Sequence, residues 1–193
     1  HHEYPKHSVQ GTLTCFFISI EEIPEGKKST YIRITAELRP QKEDPYRVRC
    51  TVGGNQIDFP GDKSTKTAEL ITIKCLLNKA ISTPNGRTAC LDLKDFYLKN
   101  PLPTYEYVFF LASTIPPEFF EQYKDVIIVT SKGHIYARVE KGMYGLPQAG
   151  KVASDTMNPR LATEGYVETG RIPELFKHKT NGIYFALVVD DFL

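Results

Sequence analysis

Two neighbouring stretches of the chain, YIRITAEL (31–38) and YRVRCTV (46–52), alternate apolar and polar positions with period two, the pattern of strands that bury one face. The segment between them, RPQKEDP, carries turn formers and charge, so the pair is predicted to form a two-stranded antiparallel arm. Arg47 and Arg49 stand two residues apart and so share a face, with Arg33 on the partner strand. One face of the arm is therefore basic, although a merely solvated strand face would have the same composition. The most apolar early run, TLTCFFISI, is nine residues long. It is too short to span a bilayer, lacks a basic leader and a small-residue cleavage site, and reads as another strand.

Helical spacing appears first in KTAELITIKCLLNKAIST, where Ala68, Ile71, Cys75, Leu76 and Ala80 define a core-facing stripe and Asp62, Ser64 or Thr65 is available as a cap. The preceding GDKS lacks the GxxxxGK[ST] spacing, which rules out a Walker loop. NGRTACLDLKDFYL (85–98) gives a turn and a strand interrupted by Asp92, with Asp95, Phe96 and Tyr97 close behind. YEYVFFL reads as a strand, PPEFFEQYK as a short helix opened by proline, and DVIIVTSKGHIYARV as a hairpin turning at Ser131 to His134. Tyr144 to Pro147 of EKGMYGLPQAG form a turn ahead of a helix running from near Gln148 towards Glu164, its pattern broken late by Pro159. NGIYFALVV, apolar on both faces, is a central strand that delivers Asp190 and Asp191 at its end.

Composition narrows this picture only a little. With 24 Lys and Arg against 23 Asp and Glu the net charge is +1, so any basic groove must come from local clustering. The four cysteines, Cys15, Cys50, Cys75 and Cys90, stand far apart without a CxxC pair, which excludes a zinc ribbon and fits scattered buried thiols in a reducing compartment. The adjacent aspartates matter more, because two carboxylates closing a buried strand are costly unless a solvated turn, hydrogen bonds or a cation compensates. Asp92 ends another strand, and if that strand neighbours the one before Asp190 the acids converge into a Mg²⁺ site with ligands at about 2.1 Å. Such a cluster is the machinery of two-metal phosphoryl transfer, with ions roughly 4 Å apart and a basic arm to hold a triphosphate.

In four ordered blocks the chain resembles the reverse transcriptase domain of Ty1/copia-type retrotransposon polyproteins. RPQKEDPYRVRCTVGGNQI is similar to the fingers strand, CLDLKDFYL to the first catalytic motif, KGMYGLPQAG to the YGLxQA element and LVVDD to the xxDD motif. The resemblance implies an α+β right-hand polymerase with a ferredoxin-like palm sheet: fingers at about 1–86 and 104–139, palm at about 87–103 and 140–193, thumb absent. Asp92 and Asp190 correspond to the two metal-binding carboxylates, and Asp191 to the supporting acid. Tyr97 matches the aromatic gate whose ring leaves no room for a 2′-hydroxyl, and Gln148 a residue lining the nucleotide pocket. Arg49, with Arg47 second, matches the fingers cation on the triphosphate, while Leu93 and Asp95 match positions that meet it through backbone.

The expected cofactor is a pair of Mg²⁺ ions, replaceable by Mn²⁺. The expected partners are an RNA or DNA template with its primer, deoxynucleotides and the missing rest of the polyprotein: thumb, RNase H and integrase. The expected setting is a cytoplasmic virus-like particle or the nucleus, with no secretion and no membrane. Val188 departs from the family's usual tyrosine, which bears on primer positioning rather than on metal binding. Pro159 and VETGRIPELFKHK are also unusual, and only Phe192 and Leu193 follow the aspartates, so the hairpin's return strand is expected to be missing. The competing expectation is a catalytically inactive remnant that binds nucleic acid or protein through the arm and an open sheet edge.

Overall fold

The structure, a computed structural model, describes residues 12–43 and 45–193. Residues 1–11, expected with the fingers, and Asp44 of the turn in the arm lie outside the described residues. The described elements are mixed α and β. In chain order they are β1 (Cys15–Ile18), β2 (Ser29–Leu38), β3 (Tyr46–Val52), α1 (Leu70–Ile81), β4 (Leu91–Asp92), β5 (Pro101–Leu111) and α2 (Pro117–Gln122). There follow β6 (His134–Lys141), α3 (Ala149–Thr163), β7 (Tyr166–Glu168), β8 (Leu175–His178), β9 (Tyr184–Val188) and β10 (Asp191–Phe192).

The chain divides into two compact units, each assembled from two separate segments. The first holds the described residues up to Asp62 together with Tyr97–Ala149, and the second holds Lys63–Phe96 and Gly150–Leu193. This division differs from the expected one, because 63–86 fall with the carboxylate-bearing unit and 97–103 and 140–149 with the arm.

In the first unit five strands pair in the order β1-β6-β5-β2-β3, with β2 and β5 parallel and the other pairs antiparallel. Alternation decides which faces are covered. Val108, Ile135, Ala137 and Val139 are sealed in the centre, and Phe17 packs its ring against Phe110, Phe119 and Tyr123 at 5.4–6.5 Å. The β2–β3 pair extends beyond this core as the arm. Its register sets Thr35 opposite Arg49 and Glu37 opposite Arg47, so Arg33, Arg47 and Arg49 share one face with one interposed acid. On the other face Leu38, Tyr46 and Val48 are exposed.

The second unit carries an antiparallel sheet in the order β4-β10-β9-β8-β7. Phe176, Ala186 and Leu187 are buried, and Phe185 stacks on Phe176 at 5.0 Å while touching Tyr166 and Phe192. VETGRIPELFKHK forms the ordered hairpin β7–β8, and α3 runs through Pro159 to Thr163.

Helix α1 presents a different face from the one its spacing predicts. Ala68 is buried, but in an extended segment whose amide donates to the Leu187 carbonyl at 3.1 Å, so the helix begins only at Leu70. That anchor sets the phase: Thr72, Ile73, Leu76 and Ala80 are the enclosed positions, while Ile71 and Cys75 face outward. Glu69 occupies the N-cap without a side-chain cap bond, so Asp62, Ser64 and Thr65 do not serve. Beside α1 lies a largely apolar cavity of about 1090 Å³, lined among others by Leu76, Lys79, Arg87, Tyr184, Phe185 and Phe192. The thiols also divide: Cys15 is buried and Cys50 half-buried, whereas Cys75 and Cys90 are exposed, contrary to expectation. Among the described residues no helix is long and apolar enough to cross a membrane.

Candidate functional site

The residues singled out from the sequence fall into two groups, one in each unit. Asp92, Leu93, Asp190 and Asp191 belong to the second unit, and Arg47, Arg49, Tyr97 and Gln148 to the first.

In the second unit β9 does not end at the aspartates but turns through them. Val188 pairs with Asp191 across a two-residue connection, Val189–Asp190, and the chain returns as β10, inserted between β9 and β4. Two corrections follow from this turn. A short return strand exists, tied by reciprocal backbone bonds between Ala186 and Leu193 at 2.8 and 3.0 Å. The strand beside β4 is β10 rather than β9, so the direct cross-strand partner of Asp92 is Asp191, not Asp190. Cβ atoms of directly opposed residues stand about 4.5–5.5 Å apart on the same face, which sets these two carboxylates side by side. Asp190 remains in the turn, its carbonyl accepting the Leu93 amide at 2.9 Å. That bond engages the backbone donor of Leu93, which was expected to meet a triphosphate.

Val189 makes the turn at φ 61°, a region a β-branched side chain seldom occupies. Such strain, of order 1–3 kcal/mol, persists where the surrounding structure enforces it, here the pairing on both sides of the hairpin. Asp92 is exposed, Asp190 and Asp191 are half-buried, and among the described residues none of the three forms an ion pair. Three carboxylates are the hard oxygen donors that Mg²⁺ prefers, and Mg²⁺ commonly takes one or two protein carboxylates and completes its shell with water and substrate phosphate. The donor chemistry therefore fits. Among the described residues, however, no three His, Cys, Asp or Glu side chains gather closely enough to form a cage on their own.

The first unit builds its part around the 143–148 turn. Gly145 adopts φ 92°, and a Cβ there would run into the Val52 carbonyl oxygen, so only glycine allows the turn to lie against the root of the arm. The Val52 amide donates to the Tyr144 carbonyl at 2.8 Å, and Thr30 Oγ1 donates to the Gly53 carbonyl at 2.7 Å. Tyr97, half-buried, meets the Tyr144 ring edge-on with centroids 5.1 Å apart. Gln148 is 2 % exposed and its Nε2 donates to Glu106 Oε1 at 2.8 Å. Its Oε1 is buried, without a hydrogen-bond partner among the described residues. Arg49 is exposed and Arg47 half-buried on the arm.

Tyr144 stood in the sequence only as the start of a turn, with no partner assigned, and Glu106 was passed over, though it left a trace. Glu106 is a lone acid among aromatic and apolar residues in YEYVFFL, and a charged residue inside such a run calls for a buried partner. A second buried acid, Glu174, sits at φ 56° before β8. Burial pushes its carboxyl above the usual glutamate range, Glu168 adds to the shift, and Lys66 opposes it. Burial likewise pushes the Cys15 thiol up to about 12, with Cys50 contributing, so that thiol is inert.

No family model matches the chain, and no curated protein or solved structure matches it.

Proposed function

We propose that the chain is the fingers and palm of an RNA-directed DNA polymerase of the Ty1/copia type, a nucleotidyltransferase adding deoxynucleotides to a primer on an RNA or DNA template. The observation that carries this reading is the register of Asp92 against Asp191, with Asp190 in the turn between β9 and β10. Like charges placed directly opposite destabilise a sheet, and a strained turn holds them there, so the arrangement makes sense when a cation is the third member.

Asp92, Asp190 and Asp191 would hold two Mg²⁺ ions, or Mn²⁺ in their place. When bound, the ions would supply the positive charge that activates the primer 3′-hydroxyl and stabilises the leaving pyrophosphate. The chain's own residues do the rest by position. Tyr97, braced by Tyr144, offers a ring edge to the sugar and excludes a 2′-hydroxyl by contact. Arg49, with Arg47, offers guanidinium forks to the triphosphate or template phosphates, and Gln148 contributes an amide to the nucleotide. A polymerase of this kind would act inside a cytoplasmic virus-like particle or in the nucleus, joined to thumb, RNase H and integrase segments of its polyprotein.

A second reading, a non-catalytic retroelement fold that binds nucleic acid or protein, is favoured by the exposure of Asp92. Primer extension on an oligo(dT)-primed poly(rA) template separates the two. The polymerase reading expects Mg²⁺-dependent incorporation of dTTP, reduced at least 100-fold, an order-of-magnitude figure, by Asp92→Asn or Asp190→Asn. Template binding without incorporation in either metal favours the second reading.

A further inference from the structure

Large apolar side chains left in water are ordinary when scattered, but several on one concave surface mark a place where something binds. In the second unit Leu77, Leu91, Ile183 and Tyr184 are each 41–63 % exposed, and all four line the cavity of about 1090 Å³ beside α1. Small-molecule sites span roughly 300–1,000 Å³, so the space suits a ligand of some length. Its lining divides by element. The apolar body comes from the helices and strands, with Leu76 on α1, Leu161 on α3, Phe185 on β9 and Phe192 on β10. The polar side chains come from the exposed segments 83–88 and 181–182 and from Lys79 in the last turn of α1. Phe192 pairs with Leu91 one position along from the Asp191–Asp92 pair, so alternation turns both away from the face that carries the acids.

Charge sets the sign of the occupant. Lys79 and Arg87 line the cavity, and among the described residues no Asp or Glu does. Neither cation forms an ion pair among the described residues. Lys79 Nζ lies 5.1 Å from the centre of the Tyr184 ring, which keeps the ammonium against the cavity wall. A peptide or a nucleic acid carries polar groups along its whole length, and the apolar body would leave them without partners. A single negative group on a long apolar chain matches both parts of the lining.

We propose that this cavity binds a long-chain fatty acid, its carboxylate held by Arg87 and Lys79 and its alkyl chain lying on Leu76, Leu161, Phe185 and Phe192. The site goes beyond the polymerase reading and does not depend on it.

The test is fluorescence titration of the full chain with cis-parinaric acid. Displacement by myristate, tetradecanol and octanoate follows, each below its micellar concentration, with a thermal melt to check folding. Wild type is expected to take up one equivalent of the probe. Myristate should displace it about tenfold more effectively than tetradecanol, the worth of a charge-assisted hydrogen bond. It should surpass octanoate by roughly 100-fold or more, because every further methylene is buried. In R87Q combined with K79Q, both at exposed positions, the preference over tetradecanol should fall to about twofold while tetradecanol itself binds as before. L77D sets a carboxylate against the chain and should weaken myristate about tenfold.

Equal displacement by myristate and tetradecanol in wild type overturns the proposal, and so does a charge preference that survives the double variant. Probe uptake that never saturates, the mark of adsorption to any apolar surface, overturns it as well. Sedimentation tests the other occupant: a wild-type dimer that L77D makes monomeric and that myristate leaves intact places a second copy on this face and overturns the fatty-acid site. If one variant does not fold, the other decides, with the stated loss supporting the proposal and wild-type binding overturning it.

Discussion

Around the 143–148 turn of the first unit, polar groups are held by the fold itself: Gln148 is locked by Glu106, Val52 by Tyr144, and Gly145 fits because it lacks a side chain. Around the Val189–Asp190 turn of the second unit, three acids stand on a two-residue strand pair and a strained turn with no ion pair among the described residues. The first arrangement is complete apart from one acceptor. The second leaves its acids without a paired cation among the described residues. Polar groups are thus handled in two ways in one chain: a sealed turn dictates their orientation, and an open carboxylate edge leaves them to solvent and to whatever binds.

The largest effect expected from breaking this contrast is at the clasp. Gly145→Ala forces a side chain into φ 92° and against a backbone oxygen that cannot swing away, so it should cost about 3 kcal/mol. Denaturant midpoints measure the loss. Amide exchange at Val52 should accelerate with it, because its bond to Tyr144 closes the clasp. A variant as stable as wild type, with Val52 still protected, would mean the turn is held by something other than this fit.

The arm strands and α3 were legible to within a few residues, because period-two alternation and the YGLPQ turn are local signals. The phase of α1 was not: its spacing allowed several faces, and the choice was made by the bond between Ala68 and Leu187, far apart in sequence. The acids were visible as a set, but their pairing was not. Which aspartate faces Asp92 depends on where the chain reverses, and Val189 adopts a conformation its residue type disfavours, so no sequence rule would place the turn there. Gln148 was readable singly and Glu106 was not, and their bond follows only from the topology that brings β5 to the end of the 143–148 turn.

The next effect concerns the acid the second unit buries. Glu174 has its carboxyl raised above the ordinary glutamate range by burial, so the unfolded chain ionises first as pH rises. The folded state is therefore favoured by this group below that range, and the advantage is lost as pH climbs through the raised value. Glu174→Gln, which removes the titrating carboxyl whose Oε2 has no partner among the described residues, should flatten this slope. Urea unfolding of wild type and variant at pH 4 and pH 7 checks it. A variant with the wild-type slope would place the pH dependence elsewhere.

The smallest effect is the most informative about the carboxylate edge. Without divalent ions, Asp92→Asn or Asp191→Asn removes repulsion between directly opposed charges and should stabilise the chain by about 0.2–1 kcal/mol, towards the lower end because Asp92 is exposed. Salt should shrink the gain, as it does for any exposed pair. Millimolar Mg²⁺ should reverse the ranking, since an ion that binds only the folded wild type stabilises it by mass action and has less to hold in either variant. The sign change on adding metal is what separates an ion site from a solvated turn. A turn that merely carries two acids would gain from the asparagine in both conditions, whereas a site built for a cation gains only until the cation arrives.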